Sequence, residues 1–311
     1  WPQHQHDCNG LTIMILSLII GLTSWLGFTG FYKIMMRLQY NQRIYTLAPQ
    51  HHQAKQVPSL GGGIMLLMLV VYLPYSTVIE TWVILAGLVF GLIGLADDLT
   101  AIYYARNKGL SVWQKLSLQG IATLLVLALY PVPVSLFGII ITGISLLAMS
   151  NAANLTDGLD GLLAGISAVC MLTLAVITQD TLWLIWLAII LAFLAVNYPP
   201  ARLFMGDTGA MAIGATLGTV PLVYHAVVSP QASAYSWLVL TGIIMIFFAL
   251  FILETLSVIL QVVYYKYAKK RLFLMAPLHH HFELKNYSET TIMLASIALQ
   301  VVLSCVSYLS L

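Results

Sequence analysis

Long apolar segments alternate with short polar gaps along almost the whole chain. A helix needs roughly 17–25 apolar residues to cross a bilayer, and ten segments approach or reach that length. The segments are continuously apolar, whereas the strands of a membrane barrel would alternate. The pattern therefore predicts an all-α integral membrane protein with about ten transmembrane helices, at Leu11–Met36, Leu60–Ile79, Thr81–Leu95, Leu116–Leu129, Val134–Met149, Leu162–Ile177, Leu182–Val196, Ala210–Val228, Trp237–Val263 and Ile292–Leu309.

The basic residues predict how these helices are oriented. All 13 Lys and Arg residues lie in or beside the first, third, seventh and ninth gaps, and the even-numbered gaps have none. Because Lys and Arg are retained on the cytoplasmic side of a membrane, the odd-numbered gaps are predicted to be cytoplasmic. Ten spans then place both termini on the extracytoplasmic side. The basic residues are Lys33, Arg37, Arg43, Lys55, Arg106, Lys108, Lys115, Arg202, Lys266, Lys269, Lys270, Arg271 and Lys285.

Composition agrees with a membrane protein and excludes other classes. The chain is 60% hydrophobic and 8% charged, with a mean hydropathy of +0.92, whereas soluble domains have about a quarter charged residues. The net charge of +2 gives no reason to expect nucleic acid, because the basic residues lie where topology requires them. Cys8, Cys170 and Cys305 do not form a disulfide framework. With no long linker or repeat, residues 1–311 are predicted to form a single membrane domain.

Two adjacent carboxylates, Asp97 and Asp98, lie at the predicted end of the third helix. A charged side chain at membrane depth costs about 2.5–3.5 kcal/mol even on the most favourable insertion scale. A pair of them near the membrane boundary therefore favours a bound cation. Mg²⁺ is the simplest choice because it prefers carboxylate oxygens together with phosphate. The alternative interpretation is a helix end that has reached water.

The loop after the fifth helix, residues 151–161, is rich in Asn, Asp and Gly and is turn-prone. If Asp157 begins the sixth helix, it shares a face with Asp160 three residues later. Acidic residues at a helix N-terminus are favoured by the helix dipole, so capping explains one of them. Capping does not explain why this cytoplasmic loop lacks Lys and Arg, and a binding role for Asn154, Asp157 and Asp160 is the alternative.

Asp207 lies between two glycines directly before the eighth apolar run. It is either a helix N-cap or a metal or phosphate ligand, with the glycines allowing close approach of the backbone. Phe204, three residues earlier, offers a ring for stacking on a base or for packing at the membrane interface. The same gap begins with Asn197.

Three consecutive histidines, His279, His280 and His281, occupy the last predicted cytoplasmic gap. Adjacent residues diverge and rarely share one ion, so phosphate contact or proton transfer is favoured over metal binding or a polar surface turn. Glu254 lies inside the ninth apolar run, where it is a functional candidate or a hydrogen-bond partner of a neighbouring helix. The glycines after Lys55 resemble a phosphate-binding loop only loosely and are not a Walker motif.

In their order and spacing these motifs resemble the polyprenyl-phosphate N-acetylhexosamine-1-phosphate transferases, over nearly the whole chain from Lys55 to Glu289. Gly94–Asp98, Asn154–Gly161 and Phe204–Asp207 mark the superfamily, and Met275–Lys285, which has the three histidines, is similar to its muramoyl-pentapeptide branch. The resemblance implies transfer of phospho-MurNAc-pentapeptide from UDP-MurNAc-pentapeptide to undecaprenyl phosphate, with Mg²⁺ as cofactor. It also implies a multi-pass protein of the bacterial plasma membrane and a homodimer.

The resemblance also assigns roles to individual residues. It implies that Asp207 binds Mg²⁺, that Asp97 and Asp98 lie at the catalytic centre, and that one of them deprotonates or orients the lipid phosphate. Lys115 would help to neutralise the diphosphate, and His279 would act beside it. Substrate binding is implied for Lys55, Asn154, Asp157, Asp160, Asn197, Phe204, His280 and His281, with Phe204 against the uracil.

Two other functions compete with this interpretation. A sister transferase would move GlcNAc-1-phosphate onto the same lipid, and the histidine segment argues against it. An ion-coupled transporter would place its carboxylates near the bilayer midplane, whereas most acids here flank the spans at one face. The predicted cytoplasmic position of the acids suits an enzyme, because a UDP-linked donor arrives from the cytosol while the lipid acceptor stays in the bilayer.

Overall fold

Helices account for most of the described structure. The computed structural model describes residues 10–38, 57–103, 109–228 and 234–310, and in these ranges it has helices, turns and loops but no strands. The helices are α1 (Gly10–Arg37), α2 (Gly62–Tyr72), α3 (Val78–Tyr103), α4 (Val112–Ala128), α5 (Leu136–Thr156), α6 (Leu162–Thr178), α7 (Thr181–Asn197), α8 (Gly206–Gly218), α9 (Val220–Val228), α10 (Ala234–Phe247), α11 (Ala249–Ala268), α12 (Leu278–Glu283) and α13 (Glu289–Leu309).

Five of these helices are long and apolar enough to cross a membrane: Thr12–Arg37 within α1, and α3, α5, α11 and α13. Shorter apolar helices, including α4, α6 and α7, lie among them. The prediction of an all-helical, multi-pass membrane protein is therefore confirmed. The predicted eighth and ninth apolar segments are each divided into two helices, at Thr219 and at Phe248. Pro221 accounts for the first division because it lacks the N–H that a continuous helix would use.

The third helix differs from its prediction at the carboxylate pair. The apolar run ends at Leu95, but α3 continues to Tyr103 and therefore contains Asp97 and Asp98. Hydropathy marks where apolar side chains stop, whereas the helix continues as long as its backbone hydrogen bonds do. The two carboxylates are consequently held on a rigid helix rather than on a loop.

Helix α8 lies at the centre of the bundle and packs against α2, α3 and α5. Every residue from Thr208 to Gly218 is buried. The face of α3 that packs against α8 has Gly87, Gly91 and Gly94. A Cβ at Gly94 would lie 2.2 Å from the carbonyl oxygen of Asp207. Small residues let membrane helices approach closely. This packing brings the beginning of α8 next to the carboxylate pair of α3.

A second buried acidic site lies at the far end of α3, away from this pair. Glu80 is 2% exposed and accepts hydrogen bonds from the Tyr72 hydroxyl (2.9 Å) and the Leu182 N–H (3.0 Å). Asp180, the N-cap of α7, accepts a bond from the same N–H at 3.1 Å. Burial, and then the hydrogen bond and charge of Glu80, raise the pKa of Asp180 to about 8. The Asp180 carboxyl group therefore keeps its proton up to near-neutral pH.

The raised pKa of Asp180 predicts a pH-dependent stability. Asp180 ionises near its ordinary value of 3.8 in the unfolded chain and near 8 in the folded one, so its stabilising contribution is complete below pH 4 and is lost as the pH rises towards 8. We expect the thermal unfolding midpoint in detergent to fall across pH 5–8. Asp180→Asn should remove the part of this pH dependence that comes from Asp180. An unchanged slope in Asp180→Asn would contradict the assignment.

Candidate active site

Asp98 caps the N-terminus of α8 from a different helix. Its carboxylate accepts bonds from the N–H groups of Asp207 (3.1 Å) and Thr208 (3.0 Å), and from the Thr208 hydroxyl (2.6 Å). A carboxylate is favoured at a helix N-terminus, where N–H groups lack partners inside the helix. Gly206 has a φ of +71°, and a Cβ there would lie 2.6 Å from Asp98 Oδ2. Glycine is therefore needed at this position both for the backbone conformation and for the close approach.

Three predicted site residues from three other helices meet around the Asp207 carboxylate of α8. The Lys115 ammonium forms a short contact with Asp207 Oδ2 and lies 3.4 Å from Asp97 Oδ2. The Asn154 amide donates to Asp207 Oδ1 at 2.7 Å. Asp97 and Lys115 are each 16% exposed and Asp207 is 28% exposed, so the group is reachable from outside the bundle. The carboxylate–ammonium centre consists of these four residues, Asp97, Lys115, Asn154 and Asp207.

The local sequence of α4 determines where Lys115 lies. Ser111 and Gln114 form a capping box, in which each side chain accepts from the other residue's backbone N–H. A capping box fixes the first turn of a helix, and Lys115 follows directly. On the neighbouring loop, the Leu110 N–H donates to Asp97 Oδ1 at 2.5 Å. Asp97 is thus held by this loop while its second oxygen faces Lys115.

The loop from Asp157 to Gly161 forms one wall beside this centre. Asp157 follows the end of α5, and α6 begins only after Gly161, so the predicted shared helical face of Asp157 and Asp160 is not formed. Burial, together with the negative charges of Asp207, Asp98 and Asp160, raises the pKa of Asp157 to about 8. An additional cation in this region would therefore be favoured.

Asp160 and Asn197 are buried and connect this wall to the loop before α8. Asp160 Oδ2 accepts from the Ala201 N–H at 2.9 Å. Asn197 accepts from the Gly161 N–H and donates to the Leu203 carbonyl, both at 2.9 Å. Both side chains are thus bonded to backbone and join the Asp157–Gly161 loop to the segment before α8.

Phe204 is half-buried and belongs to a second backbone connection. Its N–H donates to the Pro58 carbonyl at 2.9 Å, and its carbonyl accepts from the Gly61 N–H at 2.9 Å. The glycine-rich segment before α2 therefore lies directly against the segment before α8. Lys55, predicted to bind substrate, lies outside the described residues.

The three histidines have three different surroundings. His279 is 1% exposed, and its Nδ1 lies 3.3 Å from Glu254 Oε2. Its ring packs on Gly158, where a Cβ would lie 2.2 Å from Nε2. His280 Nδ1 lies 2.8 Å from Glu283 Oε2, and His281 Nδ1 accepts from the Leu274 N–H at 3.1 Å. The rings therefore do not converge on one ion.

His279 connects an intramembrane carboxylate to the active-site wall. Burial lowers the pKa of His279, and the hydrogen bond and charge of Glu254 oppose that shift. Glu254 was predicted to be either a functional group or a partner of a neighbouring helix, and in the structure it contacts His279 of α12. This contact joins α11 and α12 to the Asp157–Gly161 loop, against which His279 packs. Gly158 and Thr208 could not be identified from the sequence, because the only signal for either is its place beside an acidic residue.

The donor atoms of the carboxylate–ammonium centre suit Mg²⁺. Among the described residues no group of three His, Cys, Asp or Glu side chains is arranged to hold a metal by itself. Mg²⁺ does not require one, because proteins bind it through one or two carboxylates plus substrate phosphates and water. The Lys115 ammonium between the Asp97 and Asp207 carboxylates occupies a position where positive charge is favoured. The residues present therefore fit Mg²⁺ once a phosphate is bound.

The fold and the centre define an integral membrane enzyme with its polar site at one end of a helical bundle. The sequence profile of glycosyl transferase family 4 matches residues 81–225. That range contains all four residues of the carboxylate–ammonium centre. The class is a membrane-embedded phosphosugar transferase.

Full-length relatives define the family more closely. Phospho-N-acetylmuramoyl-pentapeptide-transferases from Lacticaseibacillus paracasei, Lactobacillus gasseri and Petrotoga mobilis are 34%, 35% and 37% identical to the chain. The matches cover 90%, 90% and 85% of this chain and 88%, 89% and 87% of the relatives. The chain belongs to the phospho-N-acetylmuramoyl-pentapeptide-transferase family, and the predicted resemblance is confirmed.

Proposed function

We propose that the chain transfers phospho-MurNAc-pentapeptide from UDP-MurNAc-pentapeptide to undecaprenyl phosphate, giving lipid I and UMP. The family supports the choice of substrates. The observation that carries the chemistry is the Lys115 ammonium between two carboxylates of separate helices, beside Asn154. Phosphoryl transfer depends mainly on positioning and on neutralising charge, and this centre offers both.

In the reaction, an oxygen of the lipid phosphate attacks the donor phosphorus attached to the sugar. The bond from that phosphorus to the bridging oxygen breaks, and UMP leaves. Asp98 is bonded to the N-terminus of α8 and acts by orienting Asp207. Asp97 is the more available carboxylate and deprotonates or orients the lipid phosphate. Lys115 neutralises charge on the diphosphate.

Mg²⁺ is the proposed cofactor, with Asp207 as its protein ligand. Bound there, it would supply positive charge to the diphosphate oxygens during transfer. Asn154 keeps the Asp207 carboxylate oriented through its 2.7 Å bond. His279 is proposed to act beside Lys115 at the diphosphate. Binding of the donor is proposed for Lys55, Asn154, Asp157, Asp160, Asn197, Phe204, His280 and His281.

The proposed setting is the bacterial plasma membrane, crossed about ten times, with both termini outside and the site at the cytoplasmic face. The distribution of Lys and Arg between the gaps and the need for a cytosolic donor support this topology. A homodimer is part of the proposal on the same resemblance. Labelling of single cysteines introduced on each side of the membrane tests the topology directly.

The decisive test is Mg²⁺-dependent UMP release by the purified protein with undecaprenyl phosphate. We expect release with UDP-MurNAc-pentapeptide, no release with UDP-GlcNAc, and loss of at least 90% of the activity after chelation of Mg²⁺. Such a loss is expected because uncompensated diphosphate charge would oppose the attack.

Each other outcome of this test has a distinct meaning. Release with UDP-GlcNAc alone would assign the chain to GlcNAc-1-phosphate transfer with the same centre. Full activity in chelator would remove Mg²⁺ from the proposal. Absence of release with either donor, from folded protein in lipid, would overturn the proposed function.

A further inference from the structure

Two amide side chains form a reciprocal pair between α4 and α5, inside the helical bundle. The Asn151 Nδ2 donates to Gln119 Oε1 at 2.9 Å, and the Gln119 Nε2 donates to Asn151 Oδ1 at 3.4 Å. Gln119 is 0% exposed, and Asn151 also donates to the Leu147 carbonyl at 2.8 Å. An unbonded amide in an apolar environment is costly, so each amide holds the other in place.

The pair lies one helical turn from the carboxylate–ammonium centre. Gln119 follows Lys115 by four residues on α4, and Asn151 precedes Asn154 by three residues on α5. Residues at these spacings lie on one face of a helix. Lys115 and Asn154 contact the two different oxygens of the Asp207 carboxylate. Both contacts are therefore made from the two helix faces that the amide pair connects.

A further contact between these faces is apolar and does not determine register by itself. One to two turns further along, Gly143 of α5 packs against the side chains of Leu127 and Thr123 of α4. Such small and apolar surfaces can slide, because lipid is as apolar as the side chains. A shift by one residue moves a helix by 1.5 Å and rotates its side chains by about 100°. Either displacement would take Lys115 or Asn154 away from Asp207.

We propose that Gln119 and Asn151 are positioning residues that set the register of α4 against α5, so that Lys115 and Asn154 reach Asp207 together. The pair acts through those two residues and does not touch the reacting groups. The part of the inference that concerns turnover rests on the proposed function, whereas the part that concerns register does not.

The register is tested first, without any assay of activity. Thr123→Cys and Gly143→Cys are combined in a protein whose three natural cysteines are replaced by alanine, since a Cβ at Gly143 lies 3.6 Å from Thr123 Cγ2. Such proximity permits a disulfide. We expect rapid cross-linking on oxidation, and at least a fivefold lower rate when Gln119→Leu or Asn151→Leu is added. An unchanged rate in both would overturn the proposal.

Turnover is tested with an exchange variant. Gln119→Leu and Asn151→Leu should each lower kcat at least tenfold while KM for the donor changes less than threefold. The double variant Gln119→Asn with Asn151→Gln keeps two facing amides and should recover kcat to within threefold of wild type. Thr123→Val is the matched control, because among the described residues the Thr123 hydroxyl bonds only within α4, to the Gln119 carbonyl.

The outcomes separate the inference from the proposed function. Slow cross-linking in the leucine variants, with rescue in the exchange variant, supports the positioning role even if the donor proves to be another sugar nucleotide. A folded exchange variant that is as inactive as the single variants would contradict a role based on the reciprocal bond. Normal kcat in both leucine variants would also contradict that role.

Discussion

Asp207→Asn should lower turnover by about 10²–10³-fold, the effect of removing one preorganised electrostatic group from an active site. Asp207 contacts Lys115 and Asn154 and is the proposed Mg²⁺ ligand. An amide keeps the shape of the side chain but removes the negative charge that the Lys115 ammonium and Mg²⁺ require. The measurement is UMP release at saturating donor and lipid, repeated at increasing Mg²⁺. Because the ligand charge is absent, higher Mg²⁺ should not restore the rate.

Asp180→Asn is the matched control for this loss. It makes the same chemical change at a carboxyl group near the opposite end of the bundle, where the raised pKa of Asp180 leaves little charge to remove at neutral pH. We expect its turnover to stay within twofold of wild type. If Asp207→Asn were as active as this control, Asp207 would have no part in the proposed centre.

The acidic site could be predicted from sequence because charged side chains among apolar segments are costly. Asp97, Asp98 and Asp207 stand out for this reason, and the structure brings all three to one end of α8. Their partners could not be predicted in the same way. That Asp98 caps α8 across more than a hundred residues of sequence depends on how closely α3 and α8 pack, which hydropathy does not encode.

Other features have a partial signal in the sequence. Gln119 is an amide inside the predicted fourth span, which by itself indicates a buried partner. Glu254 was identified as an intramembrane carboxylate, but its contact with His279 depends on the path of the chain between α11 and α12. The division of the ninth apolar run at Phe248 has no evident local cause.

The glycines before α2 show most clearly the difference between pattern and packing. The sequence relates Gly61, Gly62 and Gly63 only loosely to a phosphate-binding loop. In the structure the Gly62 N–H donates to the Met205 carbonyl at 2.9 Å, and a Cβ at Gly62 would lie 2.1 Å from the Gly209 nitrogen. A Cβ at Gly63 meets nothing within 4 Å. Adjacent glycines thus have opposite packing requirements.

Gly62→Ala should therefore destabilise the protein by at least the roughly 1–3 kcal/mol typical of overpacking. The obstructing atoms are backbone atoms of α8, so α2 and α8 must separate to admit a methyl group. Because Met205 and Gly206 lead directly into Asp207, the separation should also displace the centre, and we expect a loss of turnover of at least tenfold. Thermal unfolding in detergent and UMP release measure the two effects.

Gly63→Ala makes the same change one residue later and provides the control. Without steric conflict, alanine in a helix is favoured over glycine by about 0.5–1 kcal/mol, so the unfolding midpoint should stay level or rise and turnover should be unchanged. Equal destabilisation by the two variants would indicate that the segment requires flexibility rather than close approach. Loss of stability and turnover in Gly62→Ala, with neither lost in Gly63→Ala, would establish that contact between α2 and α8 holds Asp207 in place. This interface would then be part of the site.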